Sequence, residues 1–477
     1  MDPDPDAIEK LAESLVKAEM GIVSHYYMDA ELQGVLHAVQ QSDPRLHGRV
    51  GTADSLKMGD MAVKMCREDN VQAIACLGVD FMAESVAAIL EKNGFGHVPV
   101  YRATPTAIGC SLAESAERDS YRAWLKRGSQ QQQNKNALHV VYINTSLETK
   151  AVSSSLVPTI TCTSSNVVKT MLQASAQLGP DLKIMYGPDT YMGQNLVTFF
   201  DSILQQWSDE RIQQELHPQH NRQSIRRLRD SIDVFPHGNC VVHHMFGAEV
   251  VETVRRQYDD CYVTAHLEVP GEMFEIGMEK AMEDKGVVGS TSDILNFINN
   301  KVEAASRNDT DDRLRFILGT EAGMVTSIVK SVQDILEKHG SNKEAEIIFP
   351  VASDAVMEVD GGGDDLSLVP GVSGGEGCST AGGCATCPFM KMNDLDRLQD
   401  IVDMVADGGN ELKLKAHLPP DRLRGKQINE TNAIELGTES IMYMREFMKQ
   451  QTLPEELLRK VRQGANTAAA SSSLSSS

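Results

Sequence analysis

Three times along this chain a short apolar strand closes on polar residues, and each time two further strand ends follow in the same order. The first strands are Ile22-Val-Ser-His25-Tyr-Tyr27, Val140-Val-Tyr142-Ile-Asn144-Thr-Ser146 and Tyr262-Val-Thr-Ala-His266-Leu-Glu268. The second elements are Thr52-Ala-Asp54-Ser55, Cys162-Thr-Ser164-Ser165-Asn166 and Gly289-Ser290-Thr291-Ser-Asp293. The third each run into Gly-x-acid: Gly78-Val-Asp80, Gly187-Pro-Asp189 and Gly319-Thr-Glu321. Ser55, Ser164 and Ser290 lie 109 and then 126 residues apart, and Gly78, Gly187 and Gly319 lie 109 and then 132 apart. Helical stretches separate the strands, the alternation that builds parallel sheets with crossover helices and places ligands beyond the carboxyl ends of the strands. The pattern predicts an α/β fold of three homologous αβα (Rossmann-like) units, each with a short parallel sheet.

The expected boundaries are 1–118 for a first unit with an N-terminal helix, 136–247 for a second, and 258–400 for a third that carries a Cys-rich loop. A helical extension with a disordered tail is expected over 401–477, including a helix through Glu439–Met448 and a low-complexity end from Ala468 to Ser477. Apolar spacing predicts the N-terminal helix over residues 7–19, capped by Asp6. Gln130–Asn134 reads as a polar surface insertion and Asp360–Asp365 as a flexible lead into the cysteine loop.

Composition narrows the partners. The 477 residues hold 45 Lys and Arg against 67 Asp and Glu, a formal charge of -22. So acidic a chain is not expected to bind nucleic acid or an anionic membrane surface, either of which needs a basic face. No run of 18 apolar residues is present to span a bilayer. The start, Met1-Asp-Pro-Asp-Pro-Asp, has no apolar core and reads as neither signal nor transit peptide. Nine cysteines, mostly isolated in apolar runs, fit a reducing compartment and a soluble intracellular protein.

Three of those cysteines crowd into Gly377-Cys-Ser-Thr-Ala-Gly-Gly-Cys-Ala-Thr-Cys-Pro-Phe-Met-Lys391. A Cys-x-x-Cys loop serves as a disulfide, half a zinc site, a redox pair or part of an iron–sulfur site, and Cys-Pro at its end is a pattern of iron–sulfur proteins. Zinc wants a second Cys-x-x-Cys or a His pair, which the chain lacks. Each unit instead finishes near one cysteine: Cys110, Cys240 and Cys387. A three-fold arrangement would bring these to one point, and three thiolates suit a [4Fe-4S] cluster with one open iron, a Lewis acid for loss of water. Cys384 is a candidate fourth ligand, and Cys378 with Cys384 a candidate redox pair or inert loop residues. Cys66, Cys76, Cys162 and Cys261 read as core.

The Ser/Thr clusters at the second strand ends are candidate phosphate or carboxylate cradles. Gly289-Ser290-Thr291 before a helix is the best of them, and also reads as an ordinary N-cap. His25, Tyr27, Tyr142, Asn144, His243, His266 and Glu268 are candidates for proton transfer and carboxylate binding, although a single histidine is more often structural.

These segments make the chain resemble the quinolinate synthase family, colinearly over about residues 20 to 395. The matching stretches include Val23-Ser-His25-Tyr-Tyr27, Gly78-Val-Asp-Phe-Met-Ala-Glu84, Tyr142-Ile-Asn-Thr-Ser, Lys150-Ala, Thr163-Ser-Ser-Asn166, Cys240-Val-Val-His243, His266-Leu-Glu268, Thr320-Glu321 and Cys387-Pro-Phe-Met-Lys391. The wording looks like the plant and algal branch, and Leu267 stands where bacterial members usually have Pro. The resemblance implies a triangle of three units around a central [4Fe-4S] cluster held by Cys110, Cys240 and Cys387. It implies condensation of iminoaspartate with dihydroxyacetone phosphate to quinolinate in NAD biosynthesis, with functional coupling to L-aspartate oxidase and to a sulfur-transfer or cluster-assembly system. Carried over by motif, Ser164, Ser290 and Thr291 would hold phosphate or carboxylate, with His25 and Ser55 nearby. Tyr27, Tyr142 and Asn144 would orient intermediates, and Glu268, His266 and His243 would serve the acid–base steps. Plant members carry a transit peptide and a SufE-like domain ahead of this region. With neither read here, the expected compartment is the cytoplasm as encoded, or the plastid stroma if a leader is missing. From the residues alone, an iron–sulfur redox sensor and another [4Fe-4S] hydro-lyase compete with this reading.

Overall fold

The computed structural model describes residues 3–130, 136–308, 313–350 and 386–474. The polar insertion after Gln130, the acidic glycine run and Cys378 and Cys384 lie outside the described residues. Three parallel four-stranded sheets are present. In the first, β1 (Met20–His25), β2 (Val50–Ala53), β3 (Ala73–Leu77) and β4 (Val100–Arg102) stand in the order β2-β1-β3-β4. The second repeats it with β5 (Asn136–Tyr142), β6 (Thr159–Cys162), β7 (Leu182–Gly187) and β8 (Ile232–Val234) as β6-β5-β7-β8. The third sets β9 (Tyr262–His266), β10 (Gly286–Gly289), β11 (Arg313–Gly319) and β12 (Glu344–Ile348) as β10-β9-β11-β12. Helices cover the sheet faces, so β1 and β3 are buried at every residue.

The register explains why the strand-end motifs recur. His25 pairs with Ala53, Tyr142 with Cys162 and His266 with Gly289. Each sheet therefore ends its first and second strands side by side, and Ser55, Ser164 and Ser290 follow one or two residues later. Strand order reverses on the other side of each first strand, between it and the third, so the first-strand ends border the crevice where open α/β sheets bind ligands.

By contacts the chain forms two compact units, one of Met1–Cys110 with Val241–Pro420 and one of Ser111–Cys240 with Asp421–Ser477. The first holds the first and third sheets; the second holds the middle sheet. The helical stretch beyond 401 is shared out accordingly. Leu395–Asp407 packs on the N-terminal helix in the first unit, while Ala433–Gln450 packs on Leu147–Leu156 and β6 in the second.

Two local readings are corrected. The N-terminal helix spans Pro5–Lys17 and is capped by Asp4, not Asp6, because Pro5 has no N–H to satisfy and its fixed φ suits the first helical position. At the other end the helix Glu455–Leu474 runs into the stretch expected without order, where Ala468, Ala469 and Ala470 favour helix. No helix among the described residues is long and apolar enough to cross a membrane.

Candidate functional site

In the first unit, β1 and β9 use the same device at their ends. The backbone N–H of Tyr27 donates to Nδ1 of His25 at 3.2 Å, and that of Glu268 donates to Nδ1 of His266 at 3.3 Å. An Nδ1 that accepts a backbone proton leaves Nε2 as the proton-bearing nitrogen of a neutral ring. Burial enforces neutrality, lowering His25 to about 4 and His266 to about 3. The charge of Glu268 opposes burial at both rings, and His243 adds to the lowering at His266. The Tyr27 ring meets His25 edge-on at 4.5 Å.

Glu268 is the hub of this group. Its Oε2 lies 3.0 Å from Nδ1 of His243, a contact that lacks the alignment of a hydrogen bond, and its Oε1 lies 3.8 Å from Nδ1 of His266. His243 and His266 stack with centroids 4.8 Å apart, and Nε2 of His243 sits 3.3 Å from Oγ1 of Thr320. All these side chains are buried. A carboxyl group set among imidazoles in a dry site is suited to passing protons.

The seven described cysteines divide as the sequence suggests: Cys66, Cys76, Cys162 and Cys261 are buried in the core, whereas Cys110, Cys240 and Cys387 are half-buried. The Cys387 thiol is pushed up to about 12, chiefly by burial, with negative charge from Cys110 and Glu321 adding to it. The backbone amides of Met390 and Phe389 pull the other way, favouring the thiolate, and two amides aimed at this sulfur beside a second thiol fit a thiolate donor whose charge a metal offsets. In the second unit Cys240 follows a pinned segment: Thr190 N–H donates to Gly238 O at 2.6 Å and Ser111 Oγ donates to Asn239 O at 3.0 Å.

The hydroxyl candidates fare unevenly. Ser290 is the N-cap of Thr291–Arg307, in a capping box: its Oγ donates to Oδ2 of Asp293 at 2.6 Å and accepts the Asp293 N–H at 3.2 Å. Ser55 opens the helix Ser55–Glu68, but Asp54 already takes the amides of Leu56 and Lys57, so any anion there meets the hydroxyl rather than free amides. Thr291 is buried in the first turn beyond Ser290. In the second unit, Tyr142 closes β5, half-buried Asn144 follows it, and half-buried Ser164 follows β6.

Residue-type reasoning missed several groups. Lys150, fully buried, donates from Nζ to Ile143 O at 3.1 Å, to Oγ1 of Thr145 at 2.9 Å and to Thr145 O, clamping the turn that bears Asn144. The Nδ2 of buried Asn166, two residues on from Ser164, has no hydrogen-bond partner among the described residues. Asn393 pairs with both backbone groups of Gly78, and Glu321 takes the Cys387 amide. The sequence did carry one signal: Lys150, Asn166 and Glu321 all lie in the motifs quoted above, without a role attached.

A family model described as Quinolinate synthetase A protein matches residues 6–360. The chloroplastic quinolinate synthase of Nicotiana tabacum is 45% identical over 477 residues, taking in 98% of this chain and 64% of that protein. That of Oryza sativa subsp. japonica is 45% identical over 481 residues, 97% of this chain and 66% of that protein. The quinolinate synthase of Prochlorococcus marinus (strain MIT 9303) is 26% identical over 390 residues, 81% and 80% of the two chains. The chain spans just under two thirds of the length of the plant relatives it matches.

Proposed function

The chain belongs to the quinolinate synthase family, and from that premise we propose that it condenses iminoaspartate with dihydroxyacetone phosphate to quinolinate, phosphate and two waters in NAD biosynthesis. The observation that carries the reading is the buried group of Glu268, His243, His266 and His25, set in the same unit as half-buried Cys387 and Cys110. Ring formation here needs repeated proton transfers and two dehydrations, and a redox sensor needs no such group.

In this reading His25 and His266, neutral and protonated at Nε2, donate hydrogen bonds to substrate oxygens without bringing a charge into the site. Glu268 and His243 exchange the proton that leaves carbon and returns to a departing hydroxyl. Tyr27, edge-on to His25, orients the intermediate, with Tyr142 and Asn144 assigned the same task and Lys150 fixing their turn. Ser55, Ser164, Ser290 and Thr291 receive phosphate and carboxylate oxygens, with Ser290 turning its hydroxyl from Asp293 Oδ2 to the anion, because Asp293 holds its backbone N–H as well. Cys110, Cys240 and Cys387 are the proposed ligands of a [4Fe-4S] cluster, whose open iron when bound supplies Lewis acidity for loss of hydroxide. Because the imino acid hydrolyses in water, an aspartate-oxidising enzyme is the proposed supplier.

The test is anaerobic purification with iron and sulfide analysis, then assay for quinolinate from dihydroxyacetone phosphate and freshly generated iminoaspartate, comparing wild type with Cys110→Ala. Bound iron and sulfide with turnover, both lost in the variant, is the expected result. Iron without quinolinate would favour the sensor or another hydro-lyase, and zinc in place of iron would overturn the account.

A further inference from the structure

Glu321 stands two residues beyond β11, 1% exposed, and its carboxylate accepts from two backbone amides of different segments. The Cys387 N–H donates to Oε1 at 3.0 Å and the Gly323 N–H to Oε2 at 2.7 Å. Gly323 in turn lies against the first strand's exit loop: a Cβ on it would fall 2.7 Å from the Tyr27 Cα. Its carbonyl accepts from Nε2 of Gln33 at 3.0 Å, and the same amide group donates to Tyr26 O at 3.0 Å and Met28 O at 2.7 Å. Oε1 of Gln33 is fixed by Ser327 Oγ at 3.2 Å. Gln33 is 7% exposed, so these bonds face no competition from bulk water.

A continuous polar strap thus runs from the amide of Cys387 through Glu321, Gly323 and Gln33 to the carbonyls on either side of Tyr27. A loop anchor alone needs no buried carboxylate, since an apolar contact avoids the cost of drying a charge. Joining two backbone segments by their amides and carbonyls fixes their relative position, which apolar packing does less well.

We infer that Glu321 and Gln33 are positioning residues that couple the Cys387 loop to the Tyr26–Met28 turn, so that iron held at Cys387 and a ligand held at Tyr27 stabilise one another. The inference rests on the function proposed above. Linkage makes the effect reciprocal in affinity: a ligand that tightens the turn strengthens the hold on iron by the factor with which iron tightens ligand binding, and slower iron loss is its kinetic sign.

The experiment follows release of iron from the full, anaerobically purified holoprotein to a ferrous chelator, without and with quinolinate at saturation for each variant. Wild type should release iron about fivefold more slowly with quinolinate, the lower range of coupling between sites. Gln33→Leu should keep the wild-type iron content and ligand-free rate but show less than roughly twofold protection. Glu321→Gln, which alters the shell of Cys387 itself, should release iron about tenfold faster in both states. Should Gln33→Leu fail to fold, Ser327→Ala frees Oε1 of Gln33 while keeping the carbonyl partners, and should also reduce the protection. A bystander role in folding would move the melting temperature and leave the protection factor alone. Protection equal to wild type in Gln33→Leu, or in Ser327→Ala where that stands in, overturns the inference; so does a wild type that binds quinolinate without protection. A wild type that holds no iron or makes no quinolinate is a failure of the function reading instead.

Discussion

Glu268 is the residue on which most of the proposed chemistry depends, because its two carboxylate oxygens face two imidazoles. Glu268→Gln keeps the size and hydrogen-bonding capacity of the side chain but cannot carry a proton between bases. Quinolinate formation at saturating substrate should fall between about a hundredfold and ten-thousandfold, while quinolinate binding measured by calorimetry stays within a few fold. An unchanged turnover number would remove Glu268 from the mechanism. His25, His266 and Glu268 were legible in the sequence because each ends or follows a strand whose fellows recur, so position supplied what residue type could not. Gln33 was not legible, since it works through backbone carbonyls from the first turn of a helix and no pattern of residue types marks such a role. Another buried histidine carries a stability argument. His139, fully buried on β5, has Nε2 2.9 Å from the Tyr121 hydroxyl and Nδ1 3.3 Å from Oγ1 of Thr159, whose own proton goes to Val157 O. Burial lowers it from 6.5 to about 3. The folded chain keeps this ring neutral where the unfolded chain protonates it, so its contribution is complete above pH 6.5 and drains away as pH falls toward 3. Roughly 2–3 kcal/mol should be gone by pH 4.5. Melting curves at pH 7.5 and 4.5 should therefore show a larger drop for wild type than for His139→Gln, and parallel drops would contradict the assignment.

At the level of elements, the three sheets were readable because alternating apolar strands and capped helices are local signals, and a capping carboxylate or hydroxyl precedes many helices. Asp29, Asp54, Ser146, Asp189 and Ser290 all cap as their chemistry predicts. What local signals do not encode is how loops are held between elements. Gly238 is an instance: a Cβ there would come within 2.0 Å of the Pro188 carbonyl oxygen and 2.9 Å of Oγ of Ser115. The carbonyl is backbone and cannot rotate aside, and Gly238 N–H is already bonded to Oγ1 of Thr190 at 2.9 Å. Gly238→Ala should therefore push the segment leading to Cys240 outward, costing about 1–3 kcal/mol as overpacking does. Iron per chain should fall along with the melting temperature. A variant with both values at wild-type level would show that the segment adapts and that its placement is not what holds Cys240.

At the scale of the whole molecule, the sequence repeat suggests three homologous units and an appendage, whereas contacts divide the chain in two, with each unit built from two separated stretches. The reason is that a repeat in sequence reports strand order within a sheet and is blind to which surfaces share a core. The segment from Asp421 onward illustrates the difference. Its helix Ala433–Gln450 buries Ile441, Met444 and Phe447 against the second unit, and the next helix buries Leu457, Leu458 and Val461. Gly437 sits so close to Leu147 that a Cβ would lie 2.5 Å from its carbonyl oxygen, and Oγ of Thr161 on β6 meets Oγ of Ser440 at 2.9 Å. Those six apolar side chains alone contribute on the order of 10 kcal/mol of burial. That equals the whole net stability of an ordinary domain, about 5–15 kcal/mol. A chain ending at Pro420 should thus lose the second unit as a folded body while the first keeps its two sheets. Limited proteolysis with mass spectrometry reads this directly: cuts should spread through 136–240 in the truncated chain and be absent there in the full one. Equal resistance of that segment in both chains would mean that the last helices cover a core able to stand without them.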